Sequence, residues 1–102
     1  MISCQFEGVV QHEPIMTYEG ESFLPRLRFT VRCDVRKNTQ WLYCELMGDQ
    51  AETMHGQLDR GVCVRMCGAR ISVNVDAAGR PIIRFIPNSV KVIEQLTLEA
   101  GQ

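Results

Sequence analysis

The sequence predicts an all-β domain with one short helix between its third and fourth strands. Two stretches carry most of that prediction. In 24–36, Leu27, Phe29, Val31, Cys33 and Val35 alternate with Arg26, Arg28, Thr30, Arg32, Asp34 and Arg36. In 39–47, Leu42, Cys44 and Leu46 alternate with Trp41, Tyr43, Glu45 and Met47. Period two places each set on one face of a strand, with one face toward a core and the other toward solvent. After Gly48 the period changes. Ala51, Met54 and Leu58 recur at helical spacing, and Asp49 with Glu52 three residues on has the spacing of a capping box.

The chain of 102 residues is long enough to bury a core without a metal or disulfides. We read residues 1–95 as one domain and 96–102 as a loose C-terminal tail. No apolar run is long enough to span a bilayer, and the N-terminus lacks the basic-then-apolar order of a secretory signal. A cytoplasmic location without membrane association is the expectation. Five cysteines, an odd number, argue against a disulfide framework and are expected to act mostly as small buried hydrophobes. Cys63 and Cys67 on one strand would lie roughly 13 Å apart, too far to bridge or to share one ion. No metal or cofactor is expected.

In chain order, 2–10 reads as the first strand, with Gly8 marking a bend or bulge. Residues 11–22 contain Pro14 and Gly20 and read as a polar, acidic loop. The strand 24–36 follows, with Pro25 placed near its start. Residues 37–40 read as a short turn, and the Trp41 strand runs to Met47. The helix is expected over 49–58. Residues 62–75 read as a long strand, bent at Gly68, buried on both sides before the bend and half exposed after it; Arg65 has no evident place in it. Residues 76–79 read as a hairpin turn, and 80–94 as a last strand interrupted at Pro87-Asn88. Five strands with a helix between the third and fourth is the order of the OB-fold barrel, with a five-stranded sandwich-like sheet as the alternative.

The short turn makes the second and third strands an antiparallel hairpin. Their core faces must coincide, so their outer faces coincide too. Trp41 and Tyr43 are thereby placed beside four arginines. Net charge is only -1, but its distribution is uneven. Residues 24–48 carry five bases and two acids, and 61–92 carry five bases and one acid. Both basic blocks fall on strands. Exposed aromatics beside basic residues are what a single-stranded nucleic acid needs, for base stacking and phosphate contact. The candidate binding residues are therefore Trp41, Tyr43, Arg26, Arg28, Arg32, Arg36, Lys37, Met47, Arg70, Arg80 and Arg84. Against this stands the plainer reading, in which Trp41 is buried under a loop or in a subunit interface and the arginines are solvated surface. Phe29 and Phe85 are expected in the core. Glu45 is an acid on the proposed binding face and could pair with an arginine of the second strand.

The sequence resembles the bacterial single-stranded DNA-binding protein family. The resemblance runs through Phe6-Glu7-Gly8-Val9-Val10, then Leu27-Arg28-Phe29-Thr30-Val31-Arg32. It continues through 40–52 with Trp41, Gly48, Ala51 and Glu52, through 58–68, and through Asp76-Ala77-Ala78-Gly79-Arg80. It implies an OB-fold that works as a homodimer or homotetramer and binds single-stranded DNA, or RNA, with little sequence preference. It implies work in replication, recombination or repair, and contacts with replication proteins. Trp41 matches a stacking tryptophan of the family, and Met47 stands where the family usually has phenylalanine. Asn74 and Val75 lie near a second tryptophan position. The ending 98–102 does not match the family's acidic, phenylalanine-terminated tail. A truncated chain, a plasmid or phage variant, and the primosomal replication protein of the same fold all fit these departures.

Catalysis is not expected. His12 and His55 have no cysteine or carboxylate at a recognisable spacing, and no phosphate-cradling glycine loop or nucleophile motif is present. Two other readings stay open: a primosomal-type OB protein acting mainly through replication proteins, and a protein-binding OB module.

Overall fold

In the computed structural model, which describes residues 3–35 and 37–94, the alternating segments form strands. The order is β1 (Cys4–Val10), β2 (Ile15–Glu19), β3 (Leu24–Val35), β4 (Asn38–Met47), α1 (Asp49–His55), β5 (Cys63–Gly68), β6 (Arg70–Val75), β7 (Pro81–Ile86) and β8 (Ser89–Ile93). The expected tail 96–102 and Arg36 lie outside the described residues. Among those described, no helix is long and apolar enough to cross a membrane.

β3 and β4 pair antiparallel in the register that the two patterns require. Leu27 faces Leu46, Phe29 faces Cys44 and Val31 faces Leu42, and all six side chains are buried. The sheet runs β6-β7-β4-β3-β1-β5-β8, with β2 added beside β3. Only Ala69 separates β5 from β6, and only Pro87 and Asn88 separate β7 from β8. These four strands are two long strands, bent midway and paired as one ribbon. One half joins β4 through the parallel β4–β7 ladder, and the other joins β1 through β5. The sheet thereby curls back on itself as the five-stranded OB barrel.

Glycines permit the curvature. β1 pairs with β5 along most of its length and with β3 at Val9 and Val10. A Cβ on Gly8 would lie 2.4 Å from the Arg32 carbonyl oxygen and 2.5 Å from Val31 Cγ1. No side chain fits where β1 lies this close to β3. Gly68 marks the expected bend between β5 and β6. A Cβ there would meet Asn88 N at 3.0 Å, where Asn88 N–H donates to the Cys67 carbonyl at 2.7 Å.

The core unites Val10, Leu27, Phe29, Val31, Leu42, Leu46, Val64, Met66 and Phe85 with Ala51, Met54 and Leu58 from the helical region. Phe6 packs edge-on against Phe85 at 5.0 Å between ring centroids. Cys33 and Cys44 are buried, the other three cysteines are half-buried, and all five are free. Burial, with Asp34 adding to it, pushes the Cys33 thiol up to about 11; burial raises Cys44 further.

Several expectations need correction. The loop predicted over 11–22 contains β2, whose five residues pair with Leu24 through Arg28; Pro14 and Gly20 bound this short strand rather than preclude it. β5 is not buried on both sides. Val64 and Met66 point inward, while Cys63, Arg65 and Cys67 face outward. Arg65 then has its place, with Nε 2.8 Å from Glu7 Oε2 across the β1–β5 ladder. β6 is exposed on both faces rather than half exposed. Asp49 is not the helix cap. Gly48 occupies that position at φ 68°, and Asp49 and Glu52 lie in the first turn, where their charge suits the helix dipole. The helix closes at His55, and Leu58 is buried in the turn after it.

Candidate nucleic-acid interface

The outer face of the β3–β4 hairpin is built by register. Arg26 faces Met47, Arg28 faces Glu45, Thr30 faces Tyr43 and Arg32 faces Trp41. Trp41 and Tyr43 are 40% and 50% exposed, so neither is buried within the described chain. The parallel ladder extends this face across β7, where Arg84 stands beside Tyr43, and then to β6, where Ser72 pairs with Arg84. Thr30, Tyr43, Arg84 and Ser72 thus form one row across four strands.

An open groove of about 1200 Å³ lies over this row. Its walls include Arg28, Thr30, Tyr43 and Glu45 on one side and Arg70, Ser72 and Arg84 on the other. The β6–β7 hairpin forms one bank and β3–β4 the other.

The charge on this face differs from what residue counting suggested. Arg26 reaches Glu19 at 3.1 Å and Glu45 at 3.2 Å, and Arg28 reaches the same two carboxylates at 3.2 Å each. Arg32 pairs with Asp34 at 3.1 Å. Three arginines are therefore matched by three acids. Arg70, Arg80 and Arg84 make no ion pair among the described residues, so the unmatched positive charge shifts toward the β6–β7 bank.

The predicted residues are only partly brought together. Trp41, Tyr43, Arg26, Arg28 and Arg32 share the hairpin face, with Arg84 and Arg70 across the groove. Met47 is half-buried, its sulfur 3.6 Å from Arg26 Nη2. Lys37 is exposed in the β3–β4 turn, and Arg80 lies in the β6–β7 turn. Arg36 lies outside the described residues. The expected Glu45–arginine pair is present. Glu19, Ile15 and His12 were missed. Ile15 and His12 line the groove, and Glu19 completes the ion-pair cluster. Ile15 and Glu19 belong to β2, where the only available signal was a five-residue alternation between Pro14 and Gly20.

Among the described residues, no group of histidines, cysteines and carboxylates could hold a metal ion. No protein-family model matches the chain, and no curated protein matches it significantly. Solved structures do. The SSB domain of a Synechococcus sp. protein matches with a TM-score of 0.70 at 18% identity, covering 88% of this chain and 93% of that one. Wild-type single-stranded DNA binding protein from Thermus aquaticus matches with a TM-score of 0.73 at 17% identity, covering 99% of this chain. This chain spans 44% of the Thermus aquaticus protein. The fold of this chain is the OB-fold found in those bacterial SSB structures.

Proposed function

We propose that the protein binds single-stranded DNA along the groove between the β3–β4 face and the β6–β7 hairpin, and that it belongs to the bacterial single-stranded DNA-binding family. The observation that carries this reading is the exposure of Trp41 and Tyr43 on the outer face, with Arg84 in register beside Tyr43. Bases stack on the two rings, each stacked base contributing about 1–3 kcal/mol. Arg84 and Arg70 meet phosphates on one bank, while Arg28 and Arg26 do so on the other after exchanging their carboxylate partners. Stacking on ring faces and charge on phosphates read no base edge, so sequence preference is small. No step of this binding requires catalysis.

Work in replication, recombination or repair, in the cytoplasm and as a homo-oligomer, is part of the same proposal. The matched charges on the β3 bank also favour a second reading, the primosomal type, in which contacts with replication proteins dominate over DNA affinity. Trp41 is the single tryptophan of the chain, so its fluorescence reports on the site alone. Titration with a poly-dT oligomer is expected to quench it, with affinity falling as salt rises. No quenching and no shift, together with no binding by anisotropy of labelled dT, would overturn the nucleic-acid reading. Capture of replication proteins without DNA by such a chain would favour the second.

A further inference from the structure

We infer that the end of the β2–β3 hairpin, around Tyr18 and Phe23, is a docking surface for an arginine-rich segment of a partner protein. The hairpin pairs Ile15, Thr17 and Glu19 with Arg28, Arg26 and Leu24, and it pairs Met16 and Tyr18 with Leu27 and Pro25. Directly opposed residues share a face of the sheet. Leu27 is fully buried, so Met16, Tyr18, Pro25 and Leu27 form the side that looks toward the core. Tyr18 therefore stands on the opposite side of the hairpin from Glu19, Arg26 and Arg28, and so from the face that carries the groove.

This core side runs past the end of the core. Met16 packs against the buried cluster, whereas Tyr18 is 58% exposed. Phe23, in the turn two residues before Pro25, is 70% exposed, more than any other large apolar residue described. It is also the one described non-glycine residue with a positive φ, at 52°. A bulky side chain in the left-handed region is strained, and glycine would hold this turn with less strain. The core does not cover the ring and the turn disfavours it, so folding gives no reason for phenylalanine here. An aromatic kept in solvent against local strain points to a contact outside the chain.

Charge selects the occupant. Residues 11–25 hold three glutamates and no lysine or arginine. Glu19 is taken up by Arg26 and Arg28, but Glu21 is exposed and makes no ion pair among the described residues. The Gly48 N–H donates to the Pro25 carbonyl at 2.9 Å, which sets the start of α1 beside the same row of residues. Asp49 and Glu52 in its first turn are exposed and likewise make no ion pair among the described residues. Exposed rings flanked by carboxylates, with no lysine or arginine on that side, disfavour a phosphate backbone and favour a cation. Arginine answers both features at once. Its planar guanidinium stacks on an aromatic face, and its fork pairs with a carboxylate. Lysine supplies the charge as a compact, strongly hydrated point and matches only the acids.

This surface faces away from the groove. The inference does not rest on DNA binding, and the two are tested apart.

A fluorescein-labelled hexa-arginine peptide is titrated with the full chain in the absence of DNA, with anisotropy as the readout. Saturable binding is expected, tighter than for hexalysine of the same length and charge. Tyr18→Ser and Phe23→Gly are each expected to weaken hexa-arginine binding by about fivefold or more, as loss of a central aromatic contact does. Phe23→Gly is also expected to leave the thermal melt unchanged or raised, because it relieves the strained turn. Asp59→Asn, which removes an exposed acid beyond the far end of α1, is the control and is expected to change binding little. Affinity for a poly-dT oligomer is expected to be the same in all three variants as in the parent.

Equal affinity for the arginine and lysine peptides would reduce the surface to general acidity and overturn the inference. So would binding that both aromatic variants leave intact. Loss of poly-dT affinity in Tyr18→Ser and Phe23→Gly, with peptide binding unchanged, would assign the rings to nucleic acid and overturn it too. Self-association of the chain alone, abolished by the same two variants, would assign them to a second copy with the same consequence. Failure to bind poly-dT with the arginine preference retained supports the inference and rejects the proposed function alone.

Discussion

Glu45 stands opposite Arg28 in the β3–β4 ladder, and its Oε1 lies 3.2 Å from the Nε atoms of both Arg28 and Arg26. With Glu19 it holds both arginines in ion pairs, and Arg28 lines the groove. Any phosphate that binds there competes with carboxylates already in place. Glu45→Gln keeps the shape and removes the charge. We expect it to tighten binding of a dT oligomer by about three- to tenfold at low salt, equivalent to about 0.7–1.4 kcal/mol. The log-log salt dependence is expected to steepen by roughly 0.7 for each further phosphate that the released arginines neutralise. Trp41 fluorescence titration at several salt concentrations measures both; an unchanged slope and affinity would show that these arginines take no part in binding.

Trp41 and Tyr43 lie on the outer face, away from the core, so their roles in binding and in folding are separable. Each alanine substitution is expected to weaken single-strand binding by about 1–3 kcal/mol while shifting the thermal melt little. Anisotropy of a labelled oligomer is the measurement for Trp41→Ala, which removes the intrinsic probe. A large loss of thermal stability with unchanged affinity would assign the rings to structure.

Gly8 reports on the close approach of β1 to β3. A methyl group there would overlap the Arg32 carbonyl at 2.4 Å, and backbone cannot rotate away as a flexible side chain can. Gly8→Ala is expected to cost about 1–3 kcal/mol through overpacking. In a domain of this size that lowers the melting temperature by roughly 4–8 °C per kcal/mol. Gly56→Ala, with nothing within 4 Å of the added Cβ, is the control and is expected to change stability far less.

The Cys33 thiol has its pKa pushed up to about 11 by burial and by Asp34, from 9.0 when unperturbed. Above the unfolded value, the unfolded chain loses this proton while the folded chain keeps it. Stability is then fully present below about pH 9 and falls as pH rises toward the folded value of about 11. The limiting slope is about 1.4 kcal/mol per pH unit for one such group. Cys44 acts in the same direction. Urea unfolding between pH 8 and 11, at roughly unit steps, is expected to show this decline, with a shallower one in Cys33→Ala. Parallel profiles for the two proteins would remove Cys33 as a cause.

The structure separates two kinds of legibility. β3 and β4 were readable because one face is buried and the other wet, so the residue pattern and the strand period agree over ten residues or more. β2 was not readable, because its stability comes from pairing with β3 rather than from its own five residues. β5 misled for a related reason. Cys63 and Cys67 count as apolar in a pattern, yet they lie on the outer face with Arg65, which the pattern alone could not place. Matching the core faces of the hairpin correctly brought Trp41 and Tyr43 to the same face as Arg26, Arg28 and Arg32. It could not show that Glu19 would reach those arginines, since that contact needs β2 to exist.

Composition and periodicity by themselves determined an all-β chain, the order of its five barrel strands and helix, the bend at Gly68, and the core and outer faces of the central hairpin. These follow from local spacing, which the chain carries wherever it is placed. Only the tertiary structure decided which charges on the outer face are matched and where the groove runs. Ion pairs and grooves depend on strands distant in sequence meeting in one register. No window along the chain contains that information.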